Sequence, residues 1–140
     1  MAKLKTYKKT VGASTENLSE IRDFVGGHAL DYGFDDRKVA DIRLAVDEAC
    51  TNIIKHAYGN DPEENLEITI EVDDEKFMIF LIDKGEGFDV KTYQKPNLKS
   101  QIEQKKRGGM GVHLMLNLMD EVTYKVKNNM NVLCMSKNRN

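Results

Sequence analysis

The sequence has few cysteines, few prolines and no motif for binding zinc. The two cysteines, Cys50 and Cys134, lie inside apolar runs with no CxxC or Cys/His spacing around them, so we predict that both are reduced and buried. The two prolines fall between periodic segments, and neither a Pro/Gly/Ser-rich linker nor an internal repeat divides the chain. The 140 residues therefore predict a single domain, 1–140, with one hydrophobic core.

Long apolar runs and a strong net charge are also missing. No stretch approaches the roughly 18 consecutive apolar residues of a membrane-spanning helix, and the lysine-rich start is not followed by the apolar core of a signal peptide. The formal net charge of -2 provides no general positive field that would hold a polyanion. We therefore expect a cytoplasmic protein that binds neither a membrane nor nucleic acid.

What the sequence does contain is periodicity, and its apolar runs predict five strands. They are expected at 4–11, 66–72, 77–82, 121–127 and 131–137. The strand at 77–82 is apolar on both faces, which is typical of a central strand. The pair Asn128-Asn129 separates the last two strands and indicates a tight hairpin turn.

Three segments show helical signals. A capping signal at 14–17 opens the first helix, which we expect to end at Gly33. Asp35 and Asp36 cap a second helix that is expected to continue to Gly59. Its apolar stripe consists of Val39, Ile42, Val46, Ala49 and Ile53. A short apolar segment at 112–119 predicts the third helix.

The order of these elements indicates the fold. Strand, helix, helix, hairpin, long loop, helix and hairpin follow one another, which favours an α+β two-layer sandwich. We expect a mixed, mainly antiparallel sheet with the helices on one face. The polar, aperiodic segment before the third helix is unusually long for a small domain, so we predict a binding lid at about 84–109.

The second helix carries a candidate catalytic pair, Glu48 and Asn52. The two residues are four apart and stack on one side of the helix, at the edge of the apolar stripe. A carboxylate at this edge can accept the proton of an attacking hydroxyl, and an amide oxygen can help to hold Mg2+. Ordinary surface helices show the same spacing often, so the pair alone does not decide between catalysis and a solvated face.

A DxGxG motif follows the central strand directly at 83–88. Its carboxylate, Asp83, stands at the end of a rigid element, and Gly85 and Gly87 let the backbone turn tightly beside a flat ligand. A buried aspartate facing a planar base can accept a hydrogen bond from an exocyclic amine such as that of adenine. An ordinary turn at the exit of a hairpin is the alternative.

A glycine-rich segment joins the predicted lid to the third helix. It consists of Arg107, Gly108, Gly109, Met110, Gly111 and Val112. The unpaired N–H groups and the dipole of a helix start can bind phosphate, and the guanidinium of Arg107 can contact a terminal phosphate. No GxxxxGK[ST] motif occurs, and Leu114 interrupts GxGxxG, so the segment fits neither a P-loop nor a Rossmann turn.

Taken together, these motifs resemble the Bergerat ATP-binding fold of the GHKL superfamily, and most closely the bacterial anti-sigma-factor serine kinases. The matching segments are 48–52, 56–58, 83–88, 109–111 and 118–122. The resemblance implies Glu48 as general base, Asn52 as the residue that holds Mg2+, and Asp83 on adenine. It assigns Gly85, Gly87 and Phe88 to the base pocket.

The resemblance also implies roles for the segments around the phosphates. Arg107, the glycine segment 108–111 and Val112 would bind the triphosphate of ATP and close the lid. His56 corresponds to a family histidine near the phosphates, although a structural role is the alternative. One segment departs from the family pattern: Met130-Asn131-Val132 stands where a Gly-Thr-Thr stretch commonly supports adenine binding, so water or Asn131 would have to replace the hydroxyl.

The resemblance leads to two functional hypotheses. The first is a serine/threonine kinase that uses ATP and Mg2+ to phosphorylate a small antagonist protein of the STAS type and binds a sigma factor. The second is a nucleotide-dependent module that sequesters such a partner with little kinase turnover. A homodimer through the first strand and helix is expected in either case. A histidine-kinase fragment is disfavoured, because the 140 residues contain no helical hairpin with a phosphoacceptor histidine.

Overall fold

The computed structural model describes residues 4–57, 63–84 and 111–140, which form one five-stranded sheet and three α-helices. The strands are β1 (Lys5–Gly12), β2 (Asn65–Val72), β3 (Lys76–Asp83), β4 (Glu121–Lys127) and β5 (Met130–Asn138). The helices are α1 (Leu18–Tyr32), α2 (Asp36–Asn52) and α3 (Gly111–Leu118). The predicted order of elements and the α+β fold are confirmed. Except for Lys84, the predicted lid lies outside the described residues.

The sheet has the strand order β1-β2-β3-β5-β4, and every described pairing is antiparallel. The central place of β3 agrees with its apolar composition. Its side chains alternate between a helix-facing side, where Phe77, Ile79 and Leu81 are fully buried, and an outer side, where its residues are half-buried. The ring of Phe77 contacts Tyr32 at the end of α1, which shows that α1 covers the helix-facing side.

The start of α1 differs from the prediction by a single turn. Ser14 caps a 3-10 turn, Thr15–Asn17, and the α-helix begins only at Leu18. Gly33 ends α1 in the left-handed region with φ 106°, as its glycine predicted. Two glycines in the middle do not interrupt the helix. Gly26 is buried against α2, where an added Cβ would lie 2.9 Å from Arg43 Cδ, so its small size permits the close approach of the two helices.

Helix α2 begins as predicted but ends earlier. The carboxylate of Asp35 accepts a hydrogen bond from the backbone N–H of Lys38 at 2.9 Å and so caps the first turn. The α-helix ends at Asn52 and is followed by a π-helical turn, Ile53–Ala57, rather than continuing in α form to Gly59. The predicted apolar stripe is buried up to Ala49, after which Ile54 rather than Ile53 is fully buried. No helix among the described residues could span a membrane.

The hairpin between β4 and β5 sets the register of the last strand. Asn128 and Asn129 adopt φ values of 53° and 62°, the backbone of a two-residue type I′ turn, which confirms the predicted turn. Because turn type fixes register, this turn places Asn131 opposite Val126 of β4, and its other neighbour is Asp83 of β3.

The two cysteines differ in their burial. Both thiols are free. Cys50 is fully buried in α2, and this burial raises the pKa of its thiol far above the ordinary range. Cys134 is only half-buried, because β5 turns it to the outer side of the sheet, so the prediction that both cysteines are buried is wrong for Cys134.

Candidate active site

Apart from His56, the described residues of the predicted site come from three elements. Glu48 and Asn52 lie on α2, Asp83 ends β3, and Gly111 and Val112 open α3. Helices α2 and α3 pack against each other, which brings two of these elements together. The remaining predicted residues lie outside the described ranges: Gly85, Gly87, Phe88, Arg107, Gly108, Gly109 and Met110.

Glu48 and Asn52 lie at the edge of the buried side of α2, as their spacing predicted. Both side chains are half-buried, whereas Ala49 is 1% exposed and Ala45 is fully buried. Within the described part of the chain, the carboxylate of Glu48 has no hydrogen bond and no ion pair. A half-buried carboxylate with no described partner suits a group that must accept a proton from a bound hydroxyl.

The preceding residue, Asp47, has a different role. Its Oδ1 lies 2.7 Å from Arg22 Nη1, which joins α1 to α2, and its backbone oxygen accepts a hydrogen bond from Thr51 Oγ1 at 2.7 Å. The two consecutive acidic residues are therefore distinguished by their contacts. Asp47 belongs to the helix pair, whereas the carboxylate of Glu48 has no hydrogen-bond or ion-pair partner among the described residues.

A buried polar pair stands at the end of β3. Asp83 is 4% exposed and Asn131 is 2% exposed, and Asn131 Nδ2 donates a hydrogen bond to Asp83 Oδ1 at 2.8 Å. Of the described residues, only these two have buried polar side chains on the helix-facing side of the sheet, since Thr69 and Ser136 lie on the outer side. A carboxylate in such an apolar row is unfavourable unless it is hydrogen-bonded, which the amide of Asn131 provides.

The sequence predicts Asp83 as a site residue, whereas Asn131 stands out in it only as a departure from a family pattern. The two-residue turn at Asn128 and Asn129 is the local signal, and it fixes the register of β5 against β4. It does not fix the register of β5 against β3, which places Asn131 opposite Asp83. The neighbourhood itself is a property of the folded sheet.

His56 lies in the π-helical turn that follows α2. If the α-helical spacing of four residues continued beyond Asn52, His56 would lie one turn further along the side of Glu48 and Asn52. A π-helical turn has a different hydrogen-bonding pattern, i to i+5, so the α-helical rotation does not carry over. Such turns occur frequently at functional sites, and the nucleotide-binding role of His56 stays a prediction.

The chemistry of these groups fits an adenine nucleotide with Mg2+. Asp83 and Asn131 offer acceptor oxygens for the amino group of a planar base. The oxygens of Glu48 and Asn52 are of the type that Mg2+ prefers. No cluster of three or more His, Cys, Asp or Glu side chains in the described ranges could hold a metal ion alone.

Comparison with known proteins gives consistent matches over most of the chain. Residues 11–137 match the family described as histidine kinase-like ATPase domain. Serine-protein kinase RsbW of Bacillus subtilis strain 168 is 34% identical over 116 residues, which are 80% of this chain and 72% of the relative. The protein of the same name from Halalkalibacterium halodurans is 33% identical over 138 residues, 94% of this chain and 82% of the relative. That of Staphylococcus epidermidis is 36% identical over 116 residues, 79% and 73% respectively.

Two solved structures share the fold. One contains the RsbU and RsbW domains of a Mycobacterium tuberculosis protein and matches with a TM-score of 0.66 and 16% identity, covering 97% of this chain and 33% of that longer chain. The other is the SiaB-SiaC complex of Pseudomonas aeruginosa, with a TM-score of 0.62 and 14% identity, covering 94% of this chain and 89% of that one. At these identities the likeness concerns the fold.

Proposed function

The chain belongs to the histidine kinase-like ATPase family, among the serine-protein kinases RsbW, and from this membership we propose that it is an ATP-dependent serine/threonine protein kinase. The observation that supports the nucleotide site most directly is the buried pair of Asp83 and Asn131, because Asp83 stands where the family motif has the residue for adenine. Its protein substrate is a small antagonist of the STAS type, as the family resemblance implies.

Glu48 is the proposed general base of the transfer. Its carboxylate takes the proton of the substrate hydroxyl while that oxygen forms a bond to the γ-phosphorus of ATP. The bond from this phosphorus to the bridging oxygen breaks, and ADP leaves. Catalysis of this type depends mostly on positioning and on charge stabilisation, so one well-placed carboxylate and the groups around the phosphates are sufficient.

The nucleotide and its metal have proposed ligands on each element. Asn52 would help to hold Mg2+ through its amide oxygen. The bound ion would neutralise charge on the phosphates. Asp83, with the turn residues Gly85, Gly87 and Phe88, receives the base. The triphosphate is assigned to His56, Arg107, Gly108, Gly109, Met110, Gly111 and Val112. The start of α3 supports this assignment, since a helix N-terminus favours anions.

A thermal and chemical experiment tests the proposed kinase. A ligand that binds only the folded protein raises its stability, by about 2.7 kcal/mol at a hundredfold excess over its dissociation constant. ATP with Mg2+ should therefore raise the melting temperature more than ATP with a chelator. Incubation with ATP, Mg2+ and a purified STAS-type antagonist should add one phosphoryl group to that antagonist, as measured by mass. Absence of both effects would contradict the proposal.

A nucleotide-dependent sequestering module is the second candidate function. Asn131 stands in place of the threonine of the family pattern, so the adenine side of the site differs from that pattern. In this case ATP would still stabilise the protein and promote binding of an antagonist or a sigma factor, without phosphoprotein appearing. The same incubation therefore distinguishes the two functions.

We also propose a homodimer of this single-domain chain. The expected surface was β1 with α1, and Leu4 and Leu30 are 57% and 53% exposed there. The outer side of the sheet offers a second apolar surface. Its centre consists of the half-buried side chains of Met78, Phe80, Ile82, Val132 and Cys134, which the strand register places side by side. A contiguous apolar patch on an exposed face commonly marks a protein interface.

A further inference from the structure

The amide of Asn131 is the strongest unexplained feature of the site. It is a buried polar side chain in a row of apolar residues, and its Nδ2 donates to Asp83 Oδ1 at 2.8 Å. We infer that Asn131 is a positioning residue for base recognition: it holds the carboxylate of Asp83 so that the two residues together recognise the 6-amino group of a purine nucleotide. This inference rests on the proposed function and extends it to a residue outside the family motif.

The orientation of the Asn131 amide follows from its partner. An ionised carboxylate has no hydrogen to donate, so the amide must turn its nitrogen toward Asp83. Its oxygen then faces away from that carboxylate as a hydrogen-bond acceptor. The pair therefore offers acceptor oxygens from both residues, which matches an amino group that carries two N–H donors.

The surrounding sheet keeps this pair in place. Asp83 and Asn131 are directly opposite in the antiparallel ladder of β3 and β5, and the next pair on the same side is Leu81 with Leu133. Leu81 is fully buried and Leu133 is 8% exposed. Within this apolar surrounding, the hydrogen bond from Asn131 fixes the position of Oδ1 of the Asp83 carboxylate. Removing the amide takes away the donor at Oδ1 and leaves that oxygen less satisfied.

A comparison of two nucleotides isolates this role. ATP and purine riboside 5′-triphosphate, which lacks the 6-amino group, are titrated against the full chain, and the ratio of their dissociation constants measures recognition of that group. The wild type should prefer ATP by about tenfold or more, the effect of a hydrogen bond to a charged group. Asn131→Ala should bind ATP about tenfold more weakly and bind the analogue almost unchanged, so the preference disappears.

Three further variants separate positioning from a general loss of structure. Asn131→Thr should recover part of the preference, because its hydroxyl can donate to Asp83. Ser136→Ala removes another buried polar group of β5, on the outer side, and should keep the wild-type ratio. The exchange of Asp83→Asn with Asn131→Asp keeps a buried amide and carboxylate but moves the charge to β5. It should melt close to the wild type in the absence of nucleotide and still lose the preference for ATP.

The outcomes distinguish this inference from the function on which it rests. The positioning role alone is overturned if Asn131→Ala keeps the wild-type ratio of dissociation constants to within about twofold. It is also overturned if the variant binds both nucleotides more weakly by the same factor. A stable exchanged variant that keeps the preference for ATP also overturns it, since the location of the carboxylate would then be irrelevant. If the wild type binds neither nucleotide, the proposed kinase function fails and this inference fails with it.

Discussion

Arg22 Nη1 lies 2.7 Å from Asp47 Oδ1 and joins α1 to α2 one residue before the proposed general base. The side chains of this pair are 38% and 25% exposed, so its contribution to stability is that of a partly exposed ion pair, about 0.2–1 kcal/mol. Asp47 and Glu48 thus form a natural comparison. They are adjacent, carry the same charge and differ in what their carboxylates contact.

Replacing Glu48 should remove phosphoryl transfer and leave the fold intact. Glu48→Gln preserves size and polarity but cannot accept the hydroxyl proton, so we expect the rate to fall by about 100-fold or more. Asp47→Asn should retain activity and lower the free energy of unfolding by at most about 1 kcal/mol. Rates of phosphoprotein formation and urea unfolding measure the two effects. Equal activity of the two variants would contradict the assignment of Glu48.

Alanine substitutions at Gly27 in α1 and at Gly33, which ends α1, should change the free energy of unfolding in opposite directions. Gly27 is exposed in the middle of the helix, and an added Cβ would meet nothing within 4 Å, so Gly27→Ala should stabilise by about 0.5–1 kcal/mol. Gly33→Ala should destabilise by about 1 kcal/mol, because φ is 106° there. Urea denaturation measures both. Gly26→Ala is the control: its Cβ must displace Arg43, so it should gain less than Gly27→Ala.

The turn between β2 and β3 predicts a pH-dependent effect. The carboxylate of Asp73 accepts hydrogen bonds from the backbone N–H groups of Glu75 and Lys76, which lower the pKa of Asp73. Because the pKa is lowered in the folded state, the carboxylate stabilises the fold at pH values above the ordinary carboxyl pKa, about 3.9. This contribution is lost as the pH falls through the pKa of the folded state. Asp73→Asn should therefore melt below the wild type at neutral pH, with a smaller difference at about pH 3.

The control for this experiment is Asp74→Asn. Asp74 lies in the same turn, and its carboxylate has no hydrogen bond or ion pair within 4–57, 63–84 and 111–140. The two variants lose the same charge, so general electrostatics affect them alike. A constant difference in melting temperature between Asp73→Asn and the wild type across pH 3–7 would refute the predicted role of the Asp73 carboxylate.

Two variants distinguish the candidate surfaces of the proposed homodimer. Phe80→Glu places a charge at the centre of the outer side of the sheet, and Leu30→Glu places one on the exposed side of α1. Burying an unpaired charge in an interface is strongly unfavourable, so only the variant in the true contact should shift the wild-type dimer to monomer. Light scattering at several protein concentrations measures the mass. A monomeric wild type would contradict the dimer itself.

The sequence alone determined the elements of this protein and most of their ends. Local preferences set the start of α2 at Asp35, the end of α1 at Gly33 and the turn at Asn128-Asn129. Each of these features depends on the conformational preferences of a few neighbouring residues. The order of motifs, from Glu48 to Asp83 to the glycine segment, likewise needs no folded structure. These features were predictable because their causes are local.

Only the tertiary structure decided which side chains meet. Asp83 and Asn131 are 48 residues apart, and their hydrogen bond exists because β5 rather than β4 pairs with β3. The ion pair with Arg22 likewise gives Asp47 a different role from Glu48. The sequence periodicity shows both only as polar residues beside the same apolar stripe. Strand order and helix packing depend on how apolar surfaces from the whole chain are buried together, and no local pattern contains that information.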